Sequence, residues 1–112
     1  MERRRGIERT RAMWAAVKDV ARKEIVKLDE HLFDFFGKRL KEAHFIGKAK
    51  THLGESVVDP KRREEVLNSW EQGFQRRGFQ PGTGTKIGTV VLEVFENEQQ
   101  VARDRGDYTA KK

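Results

Sequence analysis

The stretch "WAAVKDVARKEIVKLDEHLFDFF", residues 14–36, decides the fold because its apolar residues follow one face of an α-helix. Successive apolar residues are three or four positions apart, as the helical repeat requires. No glycine or proline interrupts the chain between Ile7 and Phe36. We therefore predict a helix from about Arg9 to Phe36, with an apolar stripe formed by Trp14, Val17, Ala21, Ile25, Leu28, Leu32 and Phe35.

Such a helix is too long for a small domain to cover by itself. It would extend roughly 40 Å, which exceeds the diameter expected for a domain of this size. Either a later helix folds back along the stripe, or a second copy of the chain covers it. We predict a homodimer whose interface includes Trp14, Val17, Ile25, Leu28, Leu32, Phe33, Phe35 and Phe45.

Residues 31–56 continue with aromatic and aliphatic side chains, interrupted by glycines at positions 37, 47 and 54. A glycine inside a helix weakens it by about 1 kcal/mol relative to alanine. We therefore predict at Gly37 either a kink or the start of a separate second helix.

A further helix is predicted from Pro60 to about Arg77. Asp59 is a good N-cap residue, and proline is favourable at the first helical position. At the other end, Gly78 is a typical helix stop, after which Phe79 can pack back on the last turn. The inward face of this helix comprises Val66, Leu67, Trp70 and Phe74.

The stretch "GFQRRGFQPGTGTKIG", residues 73–88, holds five of the ten glycines in the chain. It matches neither phosphate-binding fingerprint: the pattern GxxxxGK[ST] is absent, and the glycines at 82, 84 and 88 give GxGxxxG instead of GxGxxG. We interpret residues 79–88 as a Gly-rich loop, which is either a flexible connector or a basic loop that contacts nucleic acid.

The C-terminal segment fits two structures. Val90, Leu92 and Val94 alternate as in a strand, whereas the spacing through Val101 fits a helix that ends near Gly106. We predict a third helix, with a strand or hairpin at 86–103 as the alternative, and a flexible tail at 107–112. The predicted fold is thus mainly α, with a long N-terminal helix in a single domain over 1–112. If the C-terminal strand or hairpin forms instead of the third helix, the fold is α+β.

The net charge of +6 is concentrated in the first half of the chain. Residues 1–50 contain 14 Lys and Arg against 8 Asp and Glu, whereas residues 51–112 contain 10 of each. No apolar stretch approaches the roughly 20 residues needed to span a bilayer, and no cysteine is present. We predict a cytoplasmic protein without membrane segments, which binds an anionic partner.

No pattern of catalytic residues is recognisable. The histidines at 31, 44 and 52 form no HExxH motif, and neither serine lies in a nucleophile-elbow context. Adjacent acids such as Glu64 and Glu65 are explained by the start of the helix predicted from Pro60, because carboxylates are favourable near a helix N-terminus. We therefore predict that the protein is not an enzyme and binds no metal or cofactor.

Basic residues without a catalytic motif favour nucleic-acid binding. We predict contacts with the phosphate backbone of duplex DNA or RNA, without strong sequence readout. The alternative is a protein-interaction or assembly module, such as an adaptor, an inhibitor or a phage or mobile-element subunit, which binds through the aromatic patch of Phe33, Phe36 and Phe45. In addition to a basic segment at 1–8, the predicted nucleic-acid-binding residues are Arg3, Arg4, Arg5, Arg9, Arg11, Lys38, Arg39, Lys41, Lys48, Lys50, Arg76, Arg77 and Lys86.

Overall fold

The computed structural model describes the backbone of residues 2–109 and the side chains of residues 4–109. It contains three helices: α1 (Glu2–Leu53), α2 (Pro60–Gln75) and α3 (Thr83–Asp104). The mainly α fold and the long N-terminal helix are confirmed, and the alternative strand or hairpin at 86–103 does not form. None of the described helices has a window apolar enough to cross a membrane.

The chain divides into two compact units, Met1–Lys38 and Arg39–Lys112. We call them the N-terminal and the C-terminal unit. Helix α1 continues through Gly37, so the separate second helix predicted there does not form. The cost of one glycine, about 1 kcal/mol, is too small to end a helix whose flanking residues are good helix formers.

The predicted apolar stripe lies exposed on the N-terminal unit. Trp14 is 61% exposed and Leu28 is 62% exposed. The other residues predicted for the interface are exposed as well, Phe45 on the C-terminal unit and the rest on the N-terminal unit: Val17, Ile25, Leu32, Phe33 and Phe35. The homodimer stays a prediction.

In the C-terminal unit, α2 and α3 approach each other closely through glycines of α3. A Cβ atom placed on Gly84 would lie 2.4 Å from the carbonyl oxygen of Trp70, and one on Gly88 would lie 3.1 Å from a methyl carbon of Leu67. These glycines therefore belong to a helix-packing face. The loop predicted at 79–88 is correspondingly shorter, because α3 already begins at Thr83.

Helix α2 ends two residues before the predicted end near Arg77. Its last residue is Gln75, and Gly78 adopts a left-handed conformation with φ of +88°. The ring of Phe79 packs edge-on against Phe74, with centroids 4.9 Å apart. The stop at Gly78 and the packing of Phe79 on the last turn are confirmed.

The N-terminus of α3 is capped by a residue of α2. Gly82 occupies the N-cap position and has no side chain to offer. Instead, the carboxylate of Glu71 accepts hydrogen bonds from the backbone N–H groups of Gly82 and Thr85, each at 2.9 Å, and from the Thr85 hydroxyl. The amide of Gln75 donates a fourth bond, at 2.6 Å. The bond from Gln75 and then those from Gly82 and Thr85 lower the pKa of Glu71 to about 2.

This carboxylate makes stability depend on pH in a defined window. Because the folded-state pKa of Glu71 lies below its ordinary value of 4.5, its contribution is complete above that value and is lost as the pH falls toward 2. We expect the free energy of unfolding, measured with urea, to fall through this window, and to fall less steeply in Glu71→Gln. The control is Glu64→Gln on the same helix, which should keep the wild-type slope. An unchanged slope in Glu71→Gln would contradict the capping role.

The turn after α3 packs against α1. Tyr108 is 4% exposed, and its hydroxyl oxygen lies 2.5 Å from Nδ1 of His44. Its ring also covers Gly47, where an added Cβ would lie 2.8 Å from the ring. Burial raises the pKa of Tyr108, and Asp107 adds to this effect. Tyr108 lies in the segment 107–112 that the sequence predicts to be flexible, and residues 110–112 are outside the described part of the chain.

Candidate active site

The three helical segments of the C-terminal unit line a cleft of about 190 Å³. Pockets for drug-sized ligands have about 300–1,000 Å³, so this cleft suits a compact ligand. Its lining combines charged, amide and apolar side chains: Arg39, Glu42, Ala43, Ile46 and Lys50 of α1, Val57 and Asp59 of the following loop, Arg62, Arg63 and Val66 of α2, and Leu92, Phe95, Glu96 and Gln99 of α3.

Helical spacing brings the α1 residues to the cleft. Arg39, Ala43, Ile46 and Lys50 are separated by steps of four, three and four residues, which place them on one face. The carbonyl oxygen of Ala43 accepts a hydrogen bond of 2.6 Å from Nε2 of Gln99, which is buried. This bond fixes the α3 side of the cleft against the α1 side.

Arg39 contacts two aromatic side chains. Its guanidinium carbon is 5.0 Å from the ring centroid of Phe95 and 5.9 Å from that of Trp70. Burial lowers the pKa of Arg39, but a guanidinium in a protein still stays charged. Its Nε is buried without a hydrogen-bond partner among the described residues. A guanidinium that stays charged at the wall of a cleft is suited to bind an anion there.

Lys50 and Asp59 hold the loop between α1 and α2. Nζ of Lys50 donates to the carbonyl oxygen of Val57 at 2.8 Å, and Val57 is 4% exposed. A carboxylate oxygen of Asp59 accepts from the backbone N–H of Arg62 at 3.1 Å, which confirms the predicted N-cap of α2. An ammonium group has three N–H donors, so Lys50 keeps donors for a ligand.

The α2 wall carries two adjacent arginines. Arg62 pairs with Glu65 at 3.1 Å on the exposed side of the helix. Arg63 forms ion pairs with two carboxylates of α3, Glu96 at 3.5 Å and Glu93 at 3.7 Å. Nε of Arg63 is buried and has no hydrogen-bond partner in the described part of the chain.

The balance of charges favours an anionic ligand with an apolar body. Four cationic side chains and three carboxylates line the cleft, so its net charge is +1 when all are ionised. Ile46, Val66, Leu92 and Phe95 supply apolar surface beside them. Within residues 2–109, no group of three or more His, Asp or Glu is arranged to hold a metal ion.

Only part of this site is among the residues predicted from the sequence. Of those predicted to bind nucleic acid, Arg39 and Lys50 line the cleft. They are eleven residues apart, which is about three helical turns. This spacing indicates that both side chains lie on the same face of α1. The side chain of Arg3 lies outside the described residues. The remaining predicted cations do not line the cleft: Arg4, Arg5, Arg9, Arg11, Lys38, Lys41, Lys48, Arg76, Arg77 and Lys86.

The cleft also contains residues that the sequence did not single out for binding. Arg62, Arg63, Glu96 and Gln99 reach it from α2 and α3. Their convergence depends on how these two helices pack, which no local pattern specifies. Of the remaining charged lining, Asp59 was recognised from the sequence only as a helix cap.

A sequence model of the family described as chorismate mutase type II matches residues 21–100. The match covers more than two thirds of the chain and includes every residue that lines the cleft. No curated protein and no solved structure matches the chain.

This match corrects the predicted function. The nucleic-acid-binding hypothesis and its protein-interaction alternative are wrong, as is the prediction that the protein is not an enzyme, because the matching family is one of enzymes. The prediction of a nucleic-acid partner is wrong for the same reason. The basic residues misled the sequence interpretation because cations that line an enzyme cleft and cations that bind phosphates are the same residue types. By the match over residues 21–100, the chain belongs to the chorismate mutase type II family.

Proposed function

We propose that this protein is a cytoplasmic chorismate mutase, which isomerises chorismate to prephenate in the cleft of the C-terminal unit. The observation that carries the proposal is the grouping of Arg39, Lys50, Arg62 and Arg63 around a compact, partly apolar cleft, inside the segment that matches the family. The absence of cysteine agrees with a reducing compartment.

The chemistry of chorismate fits this lining. Chorismate is a compact cyclohexadiene with two carboxylates, one on the ring and one on the enolpyruvyl ether. Guanidinium groups bind carboxylates with two parallel hydrogen bonds, which fix orientation as well as charge. Arginines on α1 and α2 can therefore hold the two carboxylates, while Ile46, Leu92 and Phe95 contact the ring.

The reaction needs no nucleophile and no proton transfer. In this rearrangement the C–O bond of the ether breaks while a C–C bond forms between the side chain and the ring, within one molecule. The protein has to hold the substrate in the folded conformation that brings the two carbons together. It also has to stabilise negative charge that develops on the ether oxygen as the C–O bond opens.

Two side chains have N–H groups available for that oxygen. Lys50 uses one donor on the carbonyl oxygen of Val57, and Gln99 uses one on the carbonyl oxygen of Ala43. Each has at least one further N–H, and both line the cleft. The existing bonds fix both groups before the substrate arrives, which is the arrangement that electrostatic stabilisation requires.

Incubation of the purified protein with chorismate tests the proposal. We expect chorismate to disappear and prephenate to accumulate in equal amounts, followed by proton NMR, at a rate that saturates with substrate. The uncatalysed rearrangement in buffer is the reference. A rate no higher than this reference would refute the proposed activity.

We further propose that the active form is a homodimer in which a second copy covers the exposed stripe of the N-terminal unit. The stripe carries Trp14, Ile25, Leu28 and Phe35, each more than half exposed in the single chain. A continuous exposed apolar face of this kind marks an interaction site. In a symmetric dimer the same face occurs on both copies, so one stripe can cover the other.

Replacing Leu28 by Asp should convert the dimer into a monomer or unfold it, because a charge would then lie in the apolar interface. Sedimentation equilibrium gives the mass, and circular dichroism gives the helix content. The matched control is Ala16→Asp, which adds the same charge at an exposed position on the side of the helix away from the stripe and from Phe33. A monomer mass for the wild-type protein at high concentration would contradict the dimer. Wild-type mass and helicity in Leu28→Asp would contradict the assignment of the stripe.

A further inference from the structure

Among the described residues, one ion pair has both partners on the wall of the cleft: Arg63 of α2 and Glu96 of α3. Nε of Arg63 lies 3.5 Å from Oε1 of Glu96. The side chain of Glu96 is 18% exposed and that of Arg63 is 32% exposed, so solvent screens this pair less than a surface pair. The charges of this pair therefore contribute to the electrostatic potential inside the cleft.

The pair is loosely engaged. Although the two charges are within ion-pair distance, Nε of Arg63 makes no hydrogen bond to Glu96 or to any other described residue, and it is shielded from water. A buried N–H without an acceptor is unfavourable. Arg63 thus lies within ion-pair distance of two carboxylates, Glu96 and Glu93, while its Nε makes no hydrogen bond to either.

We propose that Arg63 binds a carboxylate of the substrate and that Glu96 competes with the substrate for it, so that this pair sets the affinity of the site. The inference rests on the proposed function, because it concerns the dianion that the cleft would bind. When a substrate carboxylate reaches Arg63, Glu96 loses its partner and faces a second anion. Glu96 therefore weakens the binding of substrate and product alike and favours release of prephenate.

The charges of the cleft give the direction of the effect. With a net charge of +1, the cleft becomes −1 when it holds a dianion. Removing the charge of Glu96 raises the empty cleft to +2, which a dianion neutralises. Substitution of Glu96 by glutamine should therefore strengthen binding, although most substitutions in an active site weaken it.

The first experiment compares steady-state kinetics of single variants. Glu96→Gln should lower KM for chorismate by about fivefold, the effect of about 1 kcal/mol expected for one partly screened charge at contact distance. It should change kcat by less than about twofold if binding alone is affected. Arg63→Gln should raise KM by about tenfold. The control is Glu98→Gln, which makes the same charge change at an exposed position of α3 outside the cleft and should leave KM unchanged.

The double variant separates competition for Arg63 from general repulsion of the substrate. If Glu96 acts through Arg63, the decrease in KM caused by Glu96→Gln should largely disappear when Arg63 is also glutamine. An equal decrease in both backgrounds, or no decrease in either, would overturn the inference. Circular dichroism checks that each variant folds, and Arg63→Met replaces Arg63→Gln if the latter loses helicity.

Binding of prephenate, measured by calorimetry on the same proteins, separates this inference from the proposed function. Prephenate is also a dianion, so its dissociation constants should follow the order predicted for KM. A wild-type protein that binds prephenate without converting chorismate would refute the proposed activity, while the order of the constants would still decide the role of Glu96. A protein that neither binds prephenate nor converts chorismate would overturn both.

Discussion

Replacing Arg39 by glutamine should lower kcat/KM for chorismate by about a hundredfold to a thousandfold, the range found when a preorganised donor is removed from an active site. The guanidinium of Arg39 lies 5.0 Å from the ring centroid of Phe95 and 5.9 Å from that of Trp70, and its Nε has no hydrogen-bond partner among the described residues. Glutamine removes the charge and the paired N–H donors together. The effect should be measured from initial rates of chorismate loss at several substrate concentrations.

Two further variants test whether the loss belongs to this position. Arg39→Lys keeps the charge but lacks the planar pair of donors, so its activity should lie between those of the wild type and Arg39→Gln. Lys38→Gln removes one positive charge from the adjacent residue, which is exposed and outside the cleft, and should change kcat/KM by no more than about twofold. Near wild-type activity in Arg39→Gln would contradict the assignment of the cleft as the active site.

Local chemistry made much of the fold predictable. Asp59 and Pro60 define the start of α2, and Gly78 defines its stop, because capping and left-handed backbone are properties of a few adjacent residues. The glycines of α3 were harder to interpret. A glycine that lets two helices approach, as Gly84 does, looks the same in sequence as a glycine of a flexible loop.

The site was less predictable than the fold, for a chemical reason. An enzyme that uses a nucleophile or a metal leaves a recognisable motif, but a rearrangement within one molecule requires only shape and charge. Arg39 and Lys50 were predicted to bind nucleic acid, whereas they line the cleft of a chain that belongs to an enzyme family. Arg63 and Glu96 could not be paired from the sequence, since they are on different helices whose packing determines their distance.

Two substitutions of glycine by alanine should have opposite effects on stability. At Gly84 the new Cβ would lie 2.4 Å from the carbonyl oxygen of Trp70 and 2.6 Å from the Cα of Glu71, both backbone atoms of α2 that cannot rotate away. We expect Gly84→Ala to lower the free energy of unfolding by about 3 kcal/mol, since α3 must move off α2 to admit the methyl group. Urea unfolding followed by circular dichroism measures the change.

Gly37→Ala is the matched control, because it makes the same chemical change inside a helix where an added Cβ meets nothing within 4 Å. There the higher helix propensity of alanine should raise the free energy of unfolding by up to about 1 kcal/mol. If Gly84→Ala were also stabilising, the close approach of α2 and α3 would be wrong. The geometry of the cleft would then be wrong too. The packing of α2 on α3 places Arg63 near Glu96, and it places the α3 residues opposite Arg39.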